Sequence, residues 1–295
     1  IKTDDEKTTL LIVIDNLRYD QWKMISPIIQ DYYKVEEEVP YFSILPTATH
    51  YARNSIFSGL MPSEMQKIHP NLWVNEYEEG GKNLNERSFL MSQLKRNQLD
   101  LKFNYLKITH LKAGRELVTQ IQNHQTEDLF VLVYNFVDMI SHAKTEMEII
   151  KELASDNKAF RSLTLSWFKN SPLLEVIQKA SELGFNLVIT TDHGTINVDQ
   201  AIEVIGTKET SVNLRYKTGQ SMSYKSKDVF EIKNPSKLKL PTPHLNSKYI
   251  FAKEQGYFVY QNNFNYFANH FRNTFQHGGI SMEEMIIPFV VMRPR

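Results

Sequence analysis

The chain contains no cysteine. That absence removes disulfides, thiolate nucleophiles and cysteine-ligated zinc together, so any metal must be held by imidazole and carboxylate. Long apolar runs are also missing. Runs such as Leu10–Ile14 and Ile286–Met292 fall far short of the ~18 residues a membrane span needs, and Pro288 breaks the second. Charge of either sign is not in excess, with 34 basic residues against 34 acidic ones, so bulk electrostatics names no partner. There is no internal repeat and no low-complexity tract. The opening Ile-Lys-Thr-Asp-Asp-Glu-Lys lacks the basic and then apolar pattern of a secretory signal, which predicts a cytoplasmic location. Because the first residue is Ile rather than Met, a preceding segment is expected, with residues 1–8 as its linker. What remains is an ordinary globular composition, 295 residues of which 41% are hydrophobic and 23% charged. It is enough for one large α/β domain or a domain carrying an insertion.

Three short apolar runs each end in a carboxylate. Thr9–Ile14 leads into Asp15, Leu129–Tyr134 into Asp138 with His142 four residues on, and Leu187–Thr191 into Asp192-His193-Gly194. Such runs are long enough for strands buried on both faces and too short for helices. Between them the spacing predicts helices at 21–30 with Asp20 as N-cap, from Thr49 to a stop at Gly59 and Pro62, at 83–97, 113–123 and from Ser171-Pro172 to Gly184. Residues 70–82 read as an irregular loop, Glu36-Glu37-Glu38 as a solvated loop, and Val39–Leu45 as a further strand. Strands alternating with helices predict a mostly parallel, doubly wound sheet. The core is expected over 9–198 and 277–295. From 199 to 276 the character changes. Nine Lys or Arg stand against Glu209, Asp228 and Glu231 between Gly206 and Lys248, with tyrosines interleaved. Short strand-like pieces at 211–216, 228–232, 249–252 and 256–260, then a helix at 264–275, predict a small basic α+β insertion capping the core. Met285–Met292, with Pro288 inside it, reads as an edge strand.

Collected, the strand-end groups are Asp15, Asp138, His142, Asp192 and His193, joined by His277 before Gly278-Gly279. Singly, each has a plain explanation as an N-cap, a turn or a surface residue. Jointly, they fall where open α/β sheets gather ligands, at the carboxyl ends of strands. Six imidazoles and carboxylates suit a binuclear zinc or manganese site, and metal pairs serve displacement at phosphorus. A hydroxyl at a helix start, as at Thr49, is most often only a cap, but a helix N-terminus is also a seat for a phosphoryl group. Thr47 is a rival hydroxyl. Arg53 lies one turn on from Thr49.

These motifs resemble the alkaline phosphatase superfamily: strand-Asp15, Pro46-Thr47-Ala48-Thr49 with Gly59 ten residues on, Asp138-x-x-x-His142, Asp192-His193-Gly194 and His277-Gly-Gly. Val-Ile-Asp-Asn-Leu-Arg-Tyr-Asp-Gln-Trp and His-Gly-Gly-Ile-Ser-Met-Glu-Glu-Met look like its PglZ branch, over nearly the whole chain. Within that branch the chain is similar to effector regions of response regulators that control type IX secretion. The resemblance implies an alkaline-phosphatase-like fold with two zinc ions, one on Asp138, His142 and His277 and the other on Asp15, Asp192 and His193. It implies Thr49 as nucleophile, since Thr49 rather than Thr47 has the family's spacing to Gly59. It also implies an upstream receiver domain, a homodimer, and a sigma factor or secretion component as protein partners, with no membrane.

The function expected is phosphodiester hydrolysis, with Arg53 and Asn54 near the phosphoryl group and Arg215 and Lys217 gripping an oligonucleotide, linear or cyclic. A non-catalytic regulatory module that keeps its metals and works by docking or dimerising is the second reading. A phosphomonoesterase is the third.

Overall fold

The computed structural model describes residues 7–135, 137, 152–154, 156–207, 210–242 and 246–295. The sequence expectations for Asp138 and His142 lie outside them. The first part of the chain runs β1 (Thr9–Ile14), α1 (Tyr19–Ile29), β2 (Tyr33–Phe42), α2 (Thr49–Ser58), α3 (Pro62–Ile68), α4 (Glu86–Arg96) and β3 (Phe103–Ile108). It continues through α5 (Leu111–Gln120), β4 (Leu129–Tyr134), α6 (Asn157–Lys169), α7 (Pro172–Glu182) and β5 (Asn186–Thr190). Then come the short strands β6 (Ile196–Val198), β7 (Gln200–Ile205), β8 (Tyr216–Gly219), β9 (Ser223–Tyr224), β10 (Val229–Ile232), β11 (Lys248–Ala252) and β12 (Gly256–Tyr260). The chain ends with α8 (Phe264–Phe271), β13 (Thr274–Gln276), α9 (Met282–Met285) and β14 (Ile286–Pro294).

Two compact units emerge, one of residues 1–42, 99–194 and 286–295, the other of 43–98 and 195–285. The stretch expected as an insertion therefore groups with 43–98.

The first unit is built on a six-stranded sheet in the order β2-β14-β5-β1-β4-β3. β1 pairs in parallel with both β4 and β5, and β3 pairs in parallel with β4, as strands joined by helical crossovers must. Leu10, Ile12 and Val13 of β1, all six residues of β4 and all five of β5 are buried, which is why these segments read as unbroken apolar runs. Trp22, Ile25 and Ile29 of α1 and Leu173, Val176, Ile177 and Ala180 of α7 are buried too, each worth roughly 1.5–3 kcal/mol for the larger side chains. At α7, Ser171 caps Leu174 N through its hydroxyl, Pro172 takes the first helical position, and Gly184 follows with φ 78°.

Four expectations need correction. Glu36-Glu37-Glu38 is not a loop but the middle of β2, an edge strand where exposed charge is tolerated; Glu38 meets Lys23 and Glu36 meets Arg293. β14 is not an edge, since it lies antiparallel between β2 and β5. Its Pro288 stands opposite Pro40, and the β5 register begins only at Phe289, so no ladder bond needs the missing N–H. Asp20 is not the N-cap of α1. The helix starts at Tyr19, and Asp20 instead binds Arg18 and Arg161. The piece 211–216 is not a strand: Asn213 Oδ1 accepts from the amides of Arg215 and Tyr216 and turns the chain, so β8 begins only at Tyr216.

The second unit holds small sheets rather than a βα repeat. β10-β11-β8 is antiparallel, as is β13-β6, while β7 pairs in parallel with β12 and antiparallel with β9. The unit's core gathers Ile202, Val204, Val229, Ile250, Ala252 and Phe258, with Val198, Tyr257 and Val259 in a second cluster.

Candidate active site

In the first unit β1 and β5 are parallel neighbours, so the residues following them emerge side by side. Asp15, Asp192 and His193 converge there, all buried, each with a ligand atom within 4.8 Å of the others. His193 Nδ1 lies 3.0 Å from Gly194 O. A carbonyl oxygen only accepts, so Nδ1 carries the proton and Nε2 is the atom presented to the carboxylates. Nε2 is 3.7 Å from Asp192 Oδ2 and 4.0 Å from Asp15 Oδ1, too long for hydrogen bonds. The other oxygen of Asp192 is taken: Oδ1 accepts from the amides of Asn16 and His193, both at 3.1 Å. The Thr191 hydroxyl accepts from Leu17 N and donates to His193 O. Asn16 makes this turn possible by adopting φ 63°, a left-handed conformation that asparagine tolerates. Two carboxylates and one imidazole nitrogen, oriented from behind by backbone amides, form a donor set that fits a divalent cation of the zinc or manganese type. Asn16 and Thr191 were not foreseen from sequence. Their signal is only that they flank the two aspartates.

The other predicted site residues that are described, Thr49 and His277 among them, belong to the second unit. Thr49 is the first residue of α2, and its N-cap is Ala48 in extended conformation, so the Thr49 hydroxyl is not spent on capping. Its carbonyl accepts from Asn83 Nδ2 at 2.9 Å. Ten residues on, Gly59 ends α2 at φ 61°, and a Cβ there would meet Gln93 Nε2 at 2.7 Å. Thr47 is wholly buried. Its hydroxyl donates to Gly279 O at 2.7 Å and accepts from Gly278 N at 3.2 Å, while His277 Nδ1 lies 3.3 Å from Thr47 O. Thr47 therefore ties down the His277-Gly-Gly turn. Gly278 has φ 114°, and a Cβ on Gly279 would sit 2.8 Å from Arg215 Nε.

The four expected substrate contacts all have partners inside the unit. Arg53 Nε donates to Glu86, each 1% exposed. Asn54 Nδ2 donates to His50 O and Lys82 O, and Asn54 Oδ1 accepts from Asn83. Arg215 is fully buried, with Nε and Nη2 on the two oxygens of Glu284 and Nη1 on Gly256 O. Glu284, which sequence reading passed over within the Ser281-Met-Glu-Glu-Met motif, also accepts from Gly279 N and Ser281 N.

Lys217 is buried as well, donating to Ser211 O at 2.9 Å with its ammonium 4.5 Å from the Tyr260 ring. Burial lowers its pKa to about 7, against the opposing pull of Glu76. The unfolded chain keeps that proton to about 10.5, so between pH 7 and 10.5 the unfolded state binds more protons and stability rises with pH. Below pH 7 both states are charged and the burial penalty is complete. Lys217→Met should accordingly stabilise the protein by an amount on the order of a few kcal/mol at pH 6, and the gain should shrink toward pH 10. Urea unfolding of both proteins at the two pH values measures it. A less stable variant at pH 6 would mean that the contacts to Ser211 and Tyr260 outweigh desolvation.

The fold, a mostly parallel sheet with a carboxylate–imidazole cluster at its strand ends, is of alkaline phosphatase type. The chain belongs to the PglZ family, described as the BREX system PglZ alkaline phosphatase-like domain, whose pattern matches residues 1–292. Among solved structures it is similar to human ectonucleotide pyrophosphatase/phosphodiesterase 5, with a TM-score of 0.65 at 13% identity over 96% of this chain and 87% of that one. An inactive threonine-to-alanine variant of the murine protein, in complex with AMP, gives 0.60 at 12% over 97% and 88%. Phosphonoacetate hydrolase from Sinorhizobium meliloti 1021, in complex with phosphonoformate, gives 0.61 at 12% over 97% and 90%. No curated protein matches the chain by sequence. No helix among the described residues is long and apolar enough to cross a membrane.

Proposed function

We propose that this chain is a metal-dependent phosphodiesterase with Thr49 as nucleophile. The observation that carries the reading is the buried convergence of Asp15, Asp192 and His193 in a chain of the PglZ family. Those three residues would hold one zinc ion, and the motif pattern assigns Asp138, His142 and His277 to a second. When bound, such ions supply Lewis acidity that favours the ionised form of a hydroxyl and offsets charge on a phosphoryl group. Thr49 supplies the oxygen. Its Oγ1 bonds to phosphorus while the bond to the departing ester oxygen breaks, and that oxygen leaves with a proton as an alcohol. Water then cleaves the phosphothreonine, returning the hydroxyl and releasing a phosphomonoester. The Thr49 hydroxyl sits in the first turn of α2, where unpaired amides and the helix dipole favour an anion. The inactive threonine-to-alanine relative solved with AMP is consistent with a threonine at the reacting centre and a nucleotide-type ester as substrate.

The substrate class proposed is an oligonucleotide-type phosphodiester, linear or cyclic. The biological setting proposed is the effector of a PorX-like response regulator, working in the cytoplasm as a homodimer behind a receiver domain, with a sigma factor or secretion component downstream. Arg53 and Asn54 remain the proposed neighbours of the phosphoryl group, each already braced by partners that would hold it in place. Arg215 and Lys217 are not proposed again as contacts, because their charges are engaged in the interior.

Hydrolysis of bis-p-nitrophenyl phosphate against p-nitrophenyl phosphate, with metal content by mass spectrometry, tests the reading. Two metals per chain and a diester preference are expected. Asp192→Asn should lower bound metal and cut turnover by on the order of 10-fold to 100-fold or more, with partial recovery at high added zinc. Stoichiometric metal with no turnover on either ester or on oligonucleotides would favour the docking module instead.

A further inference from the structure

Over residues 255–271 the chain has no Asp, Glu, Lys or Arg, although 23% of the whole sequence is charged. Carboxamides and rings take their place, with Asn263, Asn265 and Asn269 interleaved among Phe264, Tyr266 and Phe267. The stretch is not interior. It includes α8, none of whose residues is buried, and Tyr266 is 66% exposed. Phe264 and Phe271 pack inward against the cluster of Val198, Tyr257 and Val259. The water-facing side of a surface helix ordinarily carries Lys and Glu. Uncharged amides and rings are instead the composition of recognition surfaces, where rings give rigid contact area and amides give adaptable hydrogen bonds.

Beside α8 lies a groove of about 710 Å³, open to solvent, comparable to the roughly 300–1,000 Å³ of small-molecule sites. One wall is Asn265, Asn269 and Arg272, a stripe at four- and three-residue spacing along the helix. The other is Asp199 and Gln200 at the entry to β7. All five side chains are exposed, and none makes a hydrogen bond or ion pair with another of the described residues. Apolar surface in the groove is limited to Phe264, Ala201 and Ala268.

With one acid and one base, the groove meets an ion of either sign with one attractive and one repulsive charge. An apolar ligand would strip water from five polar groups and return nothing. A ligand with several neutral groups that both donate and accept meets every requirement. Each carboxamide offers a donor and an acceptor, Asp199 accepts, and Arg272 donates through its fork. Adjacent hydroxyls of a sugar ring are such groups, and its C–H face suits Phe264 and the two alanines. A protein partner would bury an apolar anchor, for which one ring and two alanines give little depth.

We propose that this groove binds a neutral saccharide, held through its hydroxyls by Asp199, Gln200, Asn265, Asn269 and Arg272. The assignment is independent of the phosphodiesterase reading and of any metal. An array of immobilised neutral, sialylated and sulfated glycans tests it. The probe is the whole chain, biotinylated and tetramerised on streptavidin so that avidity makes a weak site visible. Binding to neutral glycans in preference to charged ones is expected. Calorimetric titration with the best-bound neutral glycan should then show about tenfold or more weaker binding to Asn265→Ala/Asn269→Ala. Neither asparagine has a side-chain partner to lose, so the double variant should keep the wild-type melting temperature. Thr49→Ala should bind that glycan as wild type does, which separates this groove from the chemistry at α2. Failure to bind any neutral glycan, equal retention of charged ones, or unchanged affinity in the double variant would overturn the assignment. So would saturation by triglycine at a lower concentration than the glycan, which would identify a peptide ligand instead.

Discussion

Thr49→Ala is expected to lower diester turnover by on the order of 10³-fold to 10⁶-fold while leaving metal content and melting temperature essentially unchanged. The magnitude follows from the chemistry proposed. Without Oγ1 no phosphothreonine can form, and only transition-state binding by the rest of the site remains. The selectivity follows from the structure. Thr49 is not the cap of α2, so its truncation removes no helix-capping bond, and its carbonyl keeps the bond from Asn83. Thr49→Ser should retain a measurable fraction of activity, and it should trap phosphate on the serine if hydrolysis becomes the slow step. Thr47→Ala supplies the contrast. That hydroxyl holds both Gly278 and Gly279, so its loss should cost about 1–2 kcal/mol of stability and disturb the His277 turn. Activity should then fall in proportion to misplacement rather than vanish. A Thr49→Ala enzyme with near-normal turnover and a dead Thr47→Ala enzyme would exchange the two roles. Rate measurements under excess zinc, with phosphopeptide mapping of the serine variant, separate these outcomes.

What could be read from the sequence was local and apolar. β1, β4 and β5 are continuous runs because both their faces are covered, and Asp15 and Asp192 follow because parallel neighbours end on the same edge. The His277-Gly-Gly turn was visible as a motif, although its reason was not: it needs a left-handed Gly278 and a Gly279 small enough to lie against Arg215. What escaped depends on partners distant in sequence. β2 holds three consecutive glutamates as a strand because β14, some 250 residues later, supplies its ladder. Pro288 looked like an edge marker because the facing Pro40 cannot be inferred from either segment alone. Arg215 and Lys217 looked like solvent-facing cations in a lysine-rich stretch. The sequence contains no sign that Glu284 claims the first or that the Ser211 carbonyl and the Tyr260 ring claim the second. Charge counts tell how many cations a segment carries, but not which of them reach water.

Arg215 is therefore where the largest stability loss is expected. Both members of its pair with Glu284 are fully buried. Burial alone would push the Glu284 carboxyl up, yet the guanidinium and the amides of Ser281 and Gly279 hold it below the ordinary range. A carboxylate lowered on folding adds stability above its unfolded pKa near 4.5, and that contribution is lost as pH falls through the folded value. The contribution of this pair is thus lost only in acid. Arg215→Met leaves Glu284 buried without its cation, at a cost of about 3–5 kcal/mol near pH 7. It also reverses the sign of the pH dependence. Burial then raises the carboxyl above 4.5, the native state binds the extra proton, and stability falls as pH rises from 5 to 7. Adding Glu284→Gln removes the stranded charge and keeps an acceptor for the Gly279 amide, so the double variant should regain part of the loss. Denaturant midpoints for the two single variants and the double, each at pH 5 and pH 7, measure every term. Additive losses in the double variant would mean that the two residues stabilise the His277 turn separately rather than as an ion pair.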